Sequence, residues 1–219
     1  SNYLTGRDGN RGECAQPCRW KYSLVEEKRP GQYFDMEEYG GTYIMNSNDL
    51  CMIEHLQDLM EAGVTSFKIE GRMKSAYYAA VVTNAYRHAL DAVAAGDEVP
   101  EVWVCETEMV SHRPYCTGFY LGGGPGQCYD GTYETGADIV AVVEGCDEEG
   151  NAVLTQRNRF CAGEELELLT PEREPQRFTV GALFDAEGER IPDARHPMME
   201  VHTRLPVNAP RLSILRKRR

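Results

Sequence analysis

The sequence predicts an α/β segment followed by a small all-β domain. Three observations carry that reading. Residues 50–96 run helix, strand, helix with tight links, the pattern of parallel strands joined by crossovers. After Pro100 the texture changes to short runs separated by turn signals, with no helical stretch. At 219 residues, with 42% hydrophobic and 26% charged residues, the chain has room for one or two domains and enough apolar material for a core.

The elements follow in order. Residues 1–22, rich in Gly, Arg, Asn and Cys, read as an ordered loop. Residues 23–46 alternate weakly around Pro30-Gly31, which predicts a short hairpin or meander. Asn46-Ser47-Asn48-Asp49 is a cluster of helix-capping residues. Leu50, Ile53, Leu56, Leu59 and Met60 follow it at helical spacing, and Gly63 is the stop. Val64 to Ile69 is β-branched and short and predicts a strand. Residues 73–95 predict a long helix with Tyr78, Val81, Val82, Ala85, Tyr86, Ala89 and Leu90 on its apolar side, ending at Gly96. A complete (β/α)₈ barrel needs roughly 250 residues, so this part reads as the last turns of a larger α/β domain. Half a barrel leaves strand edges unpaired, so poor folding in isolation is expected. The organisation expected is residues 1–98 as the α/β portion, 99–110 as a linker and 111–219 as the β domain. In the last, strands are expected near 137–143, 152–156, 166–169, 178–184 and 198–203. Turns fall at Glu148–Asn151 and Asp185–Gly188, giving a barrel of about six strands.

Composition excludes several classes. The longest apolar runs, such as Ile139–Val143, fall far short of the ~20 residues of a membrane helix. No opening segment reads as a signal peptide. The first residue is Ser1 and not Met, so a processed product, an excised domain or a fragment is expected. The 23 basic and 35 acidic residues leave a net charge of −12, unsuited to general nucleic-acid binding. Both ends are basic, however. Residues 1–22 hold Arg7, Arg11, Arg19 and Lys21 against Asp8 and Glu13, and residues 201–219 hold six basic residues and no acid. Such an edge either grips a polyanion or is a solvated, frayed end. The eight cysteines form no dense framework, which suits a reducing, cytoplasmic setting.

Two clusters could carry chemistry. Cys14 and Cys18 lie four apart in a Gly/Pro loop beside Arg11 and Arg19, a setting that favours thiolate and hence soft metals. Cys51 is a third candidate. Iron–sulfur and zinc centres take four ligands, so two or three thiols are not a complete site, and buried or free thiols remain the alternative. In Lys68-Ile69-Glu70-Gly71-Arg72, strand alternation would put Lys68 and Glu70 on one side at the C-terminal end of a strand, where parallel α/β folds build active sites. There Lys68 and Arg72 could grip a carboxylate or phosphate, with Glu70 orienting them or moving a proton. A structural ion pair is the other reading. The sequence holds no His-Glu-x-x-His and no Gly-x-Ser-x-Gly, so protease signals are poor.

The runs Ser1–Asp8, Asn10-Arg-Gly-x-Cys14-x-x-x-Cys18-Arg-Trp20, Asn46-Ser-x-Asp49-Leu-Cys51, Lys68–Arg72 and Ser111–Tyr120 resemble the collagenase-like peptidase family U32. The resemblance implies a TIM-like (β/α) barrel, of which this chain would hold the C-terminal part, followed by a small β-barrel. It implies either proteolysis of a protein substrate, with unsettled catalytic residues, or hydroxylation chemistry on RNA. The motif set looks most like the branch that hydroxylates the tRNA wobble uridine. That branch implies a four-iron–four-sulfur cluster, with Cys14, Cys51 and alternatively Cys18 as ligands. Cysteines upstream of this chain would complete it, so the chain alone would be inactive. It also implies prephenate, a small anionic metabolite, as co-substrate. Arg7, Arg11, Arg19, His112 and Arg113 are then the candidate RNA contacts, and Lys68, Glu70 and Arg72 the candidate catalytic group. A β-barrel that only binds RNA is the non-enzymatic alternative.

Overall fold

The computed structural model describes residues 2–17, 20, 22–35, 47–124, 126 and 133–219. In chain order the elements are helix α1 (Asn2–Thr5), strands β1 (Ser23–Val25), β2 (Tyr33–Asp35) and β3 (Asp49–Leu50), and helices α2 (Leu56–Glu61), α3 (Ala76–Ala95) and α4 (Glu101–Thr107). Then come β4 (Tyr115–Cys116), β5 (Ala137–Cys146), β6 (Asn151–Gln156), β7 (Phe160–Cys161), β8 (Glu165–Thr170), β9 (Arg173–Thr179) and β10 (Leu183–Phe184). The last are β11 (Arg190–Ile191), β12 (Asp193–Ala194), β13 (Glu200–Arg204) and β14 (Ile214–Arg218). The chain forms two compact units: Ser1–Cys51 with Arg113–Tyr133, and Met52–His112 with Glu134–Arg219.

In the first unit, β1 and β2 form the expected antiparallel hairpin around Pro30-Gly31, with Leu24 opposite Phe34. The rest of the expected meander, residues 36–46, lies outside the described residues. β3 and β4 pair in parallel over two residues, Asp49 with Tyr115 and Leu50 with Cys116.

The second unit holds the main core. Its eight-stranded antiparallel sheet has the order β11-β10-β13-β6-β5-β14-β8-β9. Alternation along β14 and β8 splits the side chains between two faces. Leu215, Leu166 and Leu168 join Val140, Val143, Leu154, Phe160, Leu183 and Val201 in the principal core. Ile214 and Leu169 point to the other face, where they meet Val81 and Val82 of α3 and Val110. The seat of α3 is set locally. Ser75 Oγ accepts from the Tyr78 amide at 3.2 Å as the N-cap, and Gly96 at φ +88° ends the helix. The buried Val81, Val82, Ala85 and Ala89 recur at three- and four-residue intervals.

The β5–β6 hairpin shows how its turn is written. The Asp147 carboxylate accepts from the amides of Glu149 at 3.0 Å and Asn151 at 2.8 Å. Gly150 has φ +88°, and a Cβ there would stand 2.5 Å from the Leu205 carbonyl oxygen. Gly150→Ala is therefore expected to cost about 1–3 kcal/mol, read as a lower urea midpoint, because the strained φ and the backbone clash add.

Several expectations change. The β domain has eight strands in its sheet and not about six: β10 and β11 are two residues each, too short for alternation to show, and β14 lies in the basic end. Residues 214–218, open to reading as a frayed end, are the strand between β5 and β8. Residues 99–110, expected as a linker, contain α4, whose Trp103, Glu106 and Thr107 are buried. The capping cluster does not start a helix. Asp49 and Leu50 form β3, residues 53–55 make a 3₁₀ turn, and α2 begins at Leu56 after His55 with no side-chain cap. Val64–Ile69 forms no strand. Propensity alone cannot hold a strand there, because no neighbour completes its ladder among the described residues. The TIM-like barrel portion is accordingly not shown; the parallel pairing among the described residues is the two-residue β3–β4 contact.

Candidate functional site

The Cys14 loop is ordered by its own backbone. The Asp8 carbonyl accepts from the amides of Arg11 and Glu13, both at 3.1 Å, and the Trp20 indole donates to the Ala15 carbonyl at 3.1 Å. Cys14 is exposed, and its Sγ accepts from the Gln16 amide at 3.4 Å. Arg11 lies 3.8 Å from Asp8, and Arg7 is exposed. Cys18 and Arg19 lie outside the described residues. Cys51 is half-buried at the end of β3, its amide donating to the Cys116 carbonyl at 3.0 Å. Among the described residues no three His, Cys, Asp or Glu side chains converge as metal ligands. These residues alone therefore do not make up an iron–sulfur site, which needs four donors.

Lys68, Glu70 and Arg72 lie on an exposed irregular segment and not at the end of a strand. Lys68 Nζ and Glu70 Oε2 are 3.9 Å apart, with side chains 62% and 72% exposed, so the pair is weakly held. Glu70 Oε1 accepts from the Arg72 amide at 3.1 Å. Tyr78 of α3 anchors the segment, its hydroxyl donating to the Glu70 carbonyl at 3.4 Å. Beside it, Lys74 Nζ donates to the Ser111 carbonyl at 2.7 Å. The three candidates are thus close together, but on a surface loop where water screens their charges.

The remaining RNA candidates sit elsewhere. His112 is buried, and its backbone bridges Glu134. Arg113 is clasped by Asp49: its amide reaches Oδ2 at 3.0 Å and its guanidinium reaches Oδ1 at 2.9 Å. Expected as RNA contacts, His112 is enclosed and Arg113 braces the junction of β3 and β4.

The densest polar constellation is one that sequence reasoning missed. Arg216 on β14 has no solvent exposure. Its Nη1 donates to Glu106 Oε2 of α4 at 2.7 Å, its Nη2 to the other Glu106 oxygen, and its Nε to Glu167 Oε2 of β8 at 2.9 Å. Burial works to lower the Arg216 pKa, but the Glu106 hydrogen bonds and charge outweigh it, so the guanidinium stays protonated. Burial likewise works to raise the Glu167 pKa. The charge and hydrogen bonds of Arg216, with a hydrogen bond from Arg218, hold it below the usual carboxylate range. Burial pushes up the nearby Tyr77 hydroxyl, which donates to the Met109 carbonyl at 3.2 Å. Glu106, Glu167 and Arg216 are far apart in the chain, so no local spacing announces them. The one signal available was acids at otherwise apolar positions, as in Leu166-Glu167-Leu168.

No helix of the described residues is long and apolar enough to cross a membrane. The model of Peptidase family U32 matches residues 1–128, and that of the Peptidase family U32 C-terminal domain matches residues 135–216. The chain is 36% identical to "tRNA hydroxylation protein P1" of Bacillus subtilis (strain 168) over 212 residues, covering 94% of this chain and 50% of the relative. It is 33% identical to "tRNA hydroxylation protein P" of Escherichia coli (strain K12), covering 89% and 52%. A "Collagenase" of Porphyromonas gingivalis (strain ATCC BAA-308 / W83) is 38% identical over 116 residues, covering 52% and 27%. The chain thus spans about half the length of the tRNA hydroxylation relatives it matches. With the first family model covering more than half of the sequence and the second covering the antiparallel sheet, the chain belongs to peptidase family U32.

Proposed function

We propose that this chain is part of a protein that hydroxylates tRNA at the wobble uridine, working in the cytoplasm. The observation that carries the reading is the match to the Bacillus subtilis tRNA hydroxylation protein P1 across 94% of the chain. In this reading Cys14 and Cys51 contribute thiolates to an iron–sulfur cluster whose other ligands lie outside the described residues, with Cys18 as the alternate. Lys68 and Arg72 supply cationic groups to a small dicarboxylate such as prephenate, and Glu70 orients them. Exposure of all three suits capture of a metabolite from solution more than proton transfer, which needs a drier site.

The second reading is proteolysis, favoured by the collagenase relative. His55 and His202 each face a carboxylate on their own segment, and His88 stacks on Trp103 with its Nε2 at 3.0 Å from the Pro171 carbonyl oxygen. A carboxylate on an imidazole is also how a general base is oriented, so these contacts do not separate the two readings, and the match over 94% of the chain carries the first.

The test uses a Bacillus subtilis strain deleted for its own tRNA hydroxylation proteins P1 and P2. It is complemented with the full-length protein carrying this chain. Nucleoside mass spectrometry of its tRNA is expected to show a uridine heavier by one oxygen, lost in Cys14→Ser and Cys51→Ser together with protein-bound iron. Unmodified tRNA despite normal protein levels would sink the proposal. Gelatin cleavage by the purified protein, lost in a single point variant, would favour the peptidase instead.

A further inference from the structure

The outer edge of the buried Arg216 network is built differently from its inner part. Glu167 gives Oε2 to Arg216 and turns Oε1 toward the surface. That one oxygen accepts from two more guanidinium groups, Nε of Arg177 at 3.2 Å and Nε of Arg218 at 2.6 Å. The Glu167 side chain is 5% exposed, while those of Arg177 and Arg218 are 59% and 45% exposed. A buried carboxylate thus anchors two surface arginines by their inner nitrogens. Among the described residues the terminal nitrogens of neither arginine are engaged by a protein acceptor.

The register makes this a defined row. Arg216 of β14 is opposite Glu167 of β8, which is opposite Arg177 of β9. Arg218 lies two residues beyond Arg216 on the same face. Arg177, Arg216 and Arg218 stand against Glu106 and Glu167 within the hydrogen-bonded group, and the exposed Glu165 on the same face of β8 offsets the remaining positive charge. Among the neighbouring cations, Lys217 pairs with Glu164, and Arg219 pairs with Asp138. Arg177 and Arg218 therefore present two guanidinium forks already held through their inner nitrogens, so binding an anion through the outer ones loses less side-chain entropy than it would with unheld arginines. β9 is an edge strand with exposed Arg173 and Glu174. An open edge cannot enclose a small metabolite, but an extended polyanion can lie along it.

We propose that Arg177 and Arg218, held on the shared Glu167 carboxylate, form a clamp for the phosphate backbone of RNA. The proposal rests on the tRNA reading and deepens it by naming a contact surface. Guanidinium forks match phosphate geometry two bonds at a time, which makes the backbone and not a base edge the ligand. Glu165, two residues from Glu167 on the same face of β8 and exposed, is the local group that repels that ligand.

The test is fluorescence-anisotropy binding of a tRNA transcript to the full chain across a potassium chloride series. Arg177→Gln with Arg218→Gln is expected to weaken binding on the order of tenfold and to lower the salt slope by about 1.4–1.8, since each phosphate contact contributes about 0.7–0.9. Glu165→Gln is expected to tighten binding severalfold. A thermal melt shows that the double variant is folded; if it is not, Arg177→Gln alone, on the edge strand, reads half the change in slope. Unaltered affinity and slope in the folded variants overturn the clamp. So does full displacement of tRNA by millimolar inorganic phosphate at constant ionic strength, which marks a free-phosphate site, or by poly-glutamate of equal charge, which marks an acidic-protein site. Wild-type protein that neither binds tRNA nor supports its hydroxylation removes the tRNA reading itself. Wild-type binding that the variants leave unchanged removes only the clamp.

Discussion

Arg216→Ala is expected to lower the unfolding free energy by about 3–5 kcal/mol, because it strands the desolvated Glu106 carboxylate and leaves the inner oxygen of Glu167 without its donor. Glu106 and Glu167 are 2% and 4% exposed and share that guanidinium, although Glu167 keeps Arg177 and Arg218 on its other oxygen. Urea denaturation of the alanine variant measures the loss. A companion variant separates the worth of the ion network from the harm of breaking it. Replacing Arg216, Glu106 and Glu167 together by Met and Leu residues is expected to be near neutral or stabilising, since apolar packing avoids the desolvation cost altogether. The two also differ in acid. The folded-state pKa of Glu167 lies below its unfolded value, so its contribution is present above the unfolded pKa and is lost as pH falls through the folded one. The wild-type chain should therefore weaken steadily as pH falls below the ordinary glutamate range, and the triple apolar variant less so. Equal acid sensitivity in both would show that other carboxylates govern the transition.

Phe160→Ala is expected to cost a similar amount, about 3–5 kcal/mol, through the cavity it leaves. Phe160 has no solvent exposure and belongs to the principal core. Its strand β7 is two residues long and pairs with β12, Ala194 standing opposite. The flanking ion pairs cannot substitute for it. Asp193 holds Arg159 at 2.8 Å and Arg195 at 2.6 Å, but those arginine side chains are 69% and 57% exposed, and solvent screens their share of the pairs. Phe160→Leu, which keeps most of the volume, should cost under about 1.5 kcal/mol. A calorimetric melting point that drops equally for both variants would show that this part of the core does not close tightly around the ring.

What the sequence made legible follows from the range of the interactions involved. The long helix α3 could be read because its signals are local: apolar residues at three- and four-residue spacing and Gly96 at the end. The β5–β6 hairpin could be read for the same reason, with Glu148–Asn151 carrying the turn. β14 could not. Ile214-Leu215-Arg216-Lys217-Arg218 looks like a charged end until Glu167, Glu164 and Asp138 are brought beside it, and those partners are distant in the chain. Val64–Ile69 fails in the opposite sense: its composition favours a strand, but a strand needs a neighbour to bond with. Asp49 shows a third kind of failure, in which a residue suited to capping a helix is committed instead to a distant arginine, Arg113. Of the candidate site, the sequence indicated the residues and not their setting. The Lys68–Arg72 cluster does come together, but on an open loop, and the Arg216 network that organises the second unit was invisible to any local motif.

The position of β14 also governs the order in which the sheet can be assembled. Its two partners, β5 and β8, are made long before it, and a ribosome that has released residues 137–213 has produced both with one edge unsatisfied. The β5–β6 hairpin and the β8–β9 pair can form at once from nearby sequence, whereas joining the two halves must wait for residues 214–218. Contacts of such long sequence separation fold slowly. During that interval the chain exposes two apolar strand edges, and β14, more than any other strand, determines how long it remains open to mispairing and aggregation.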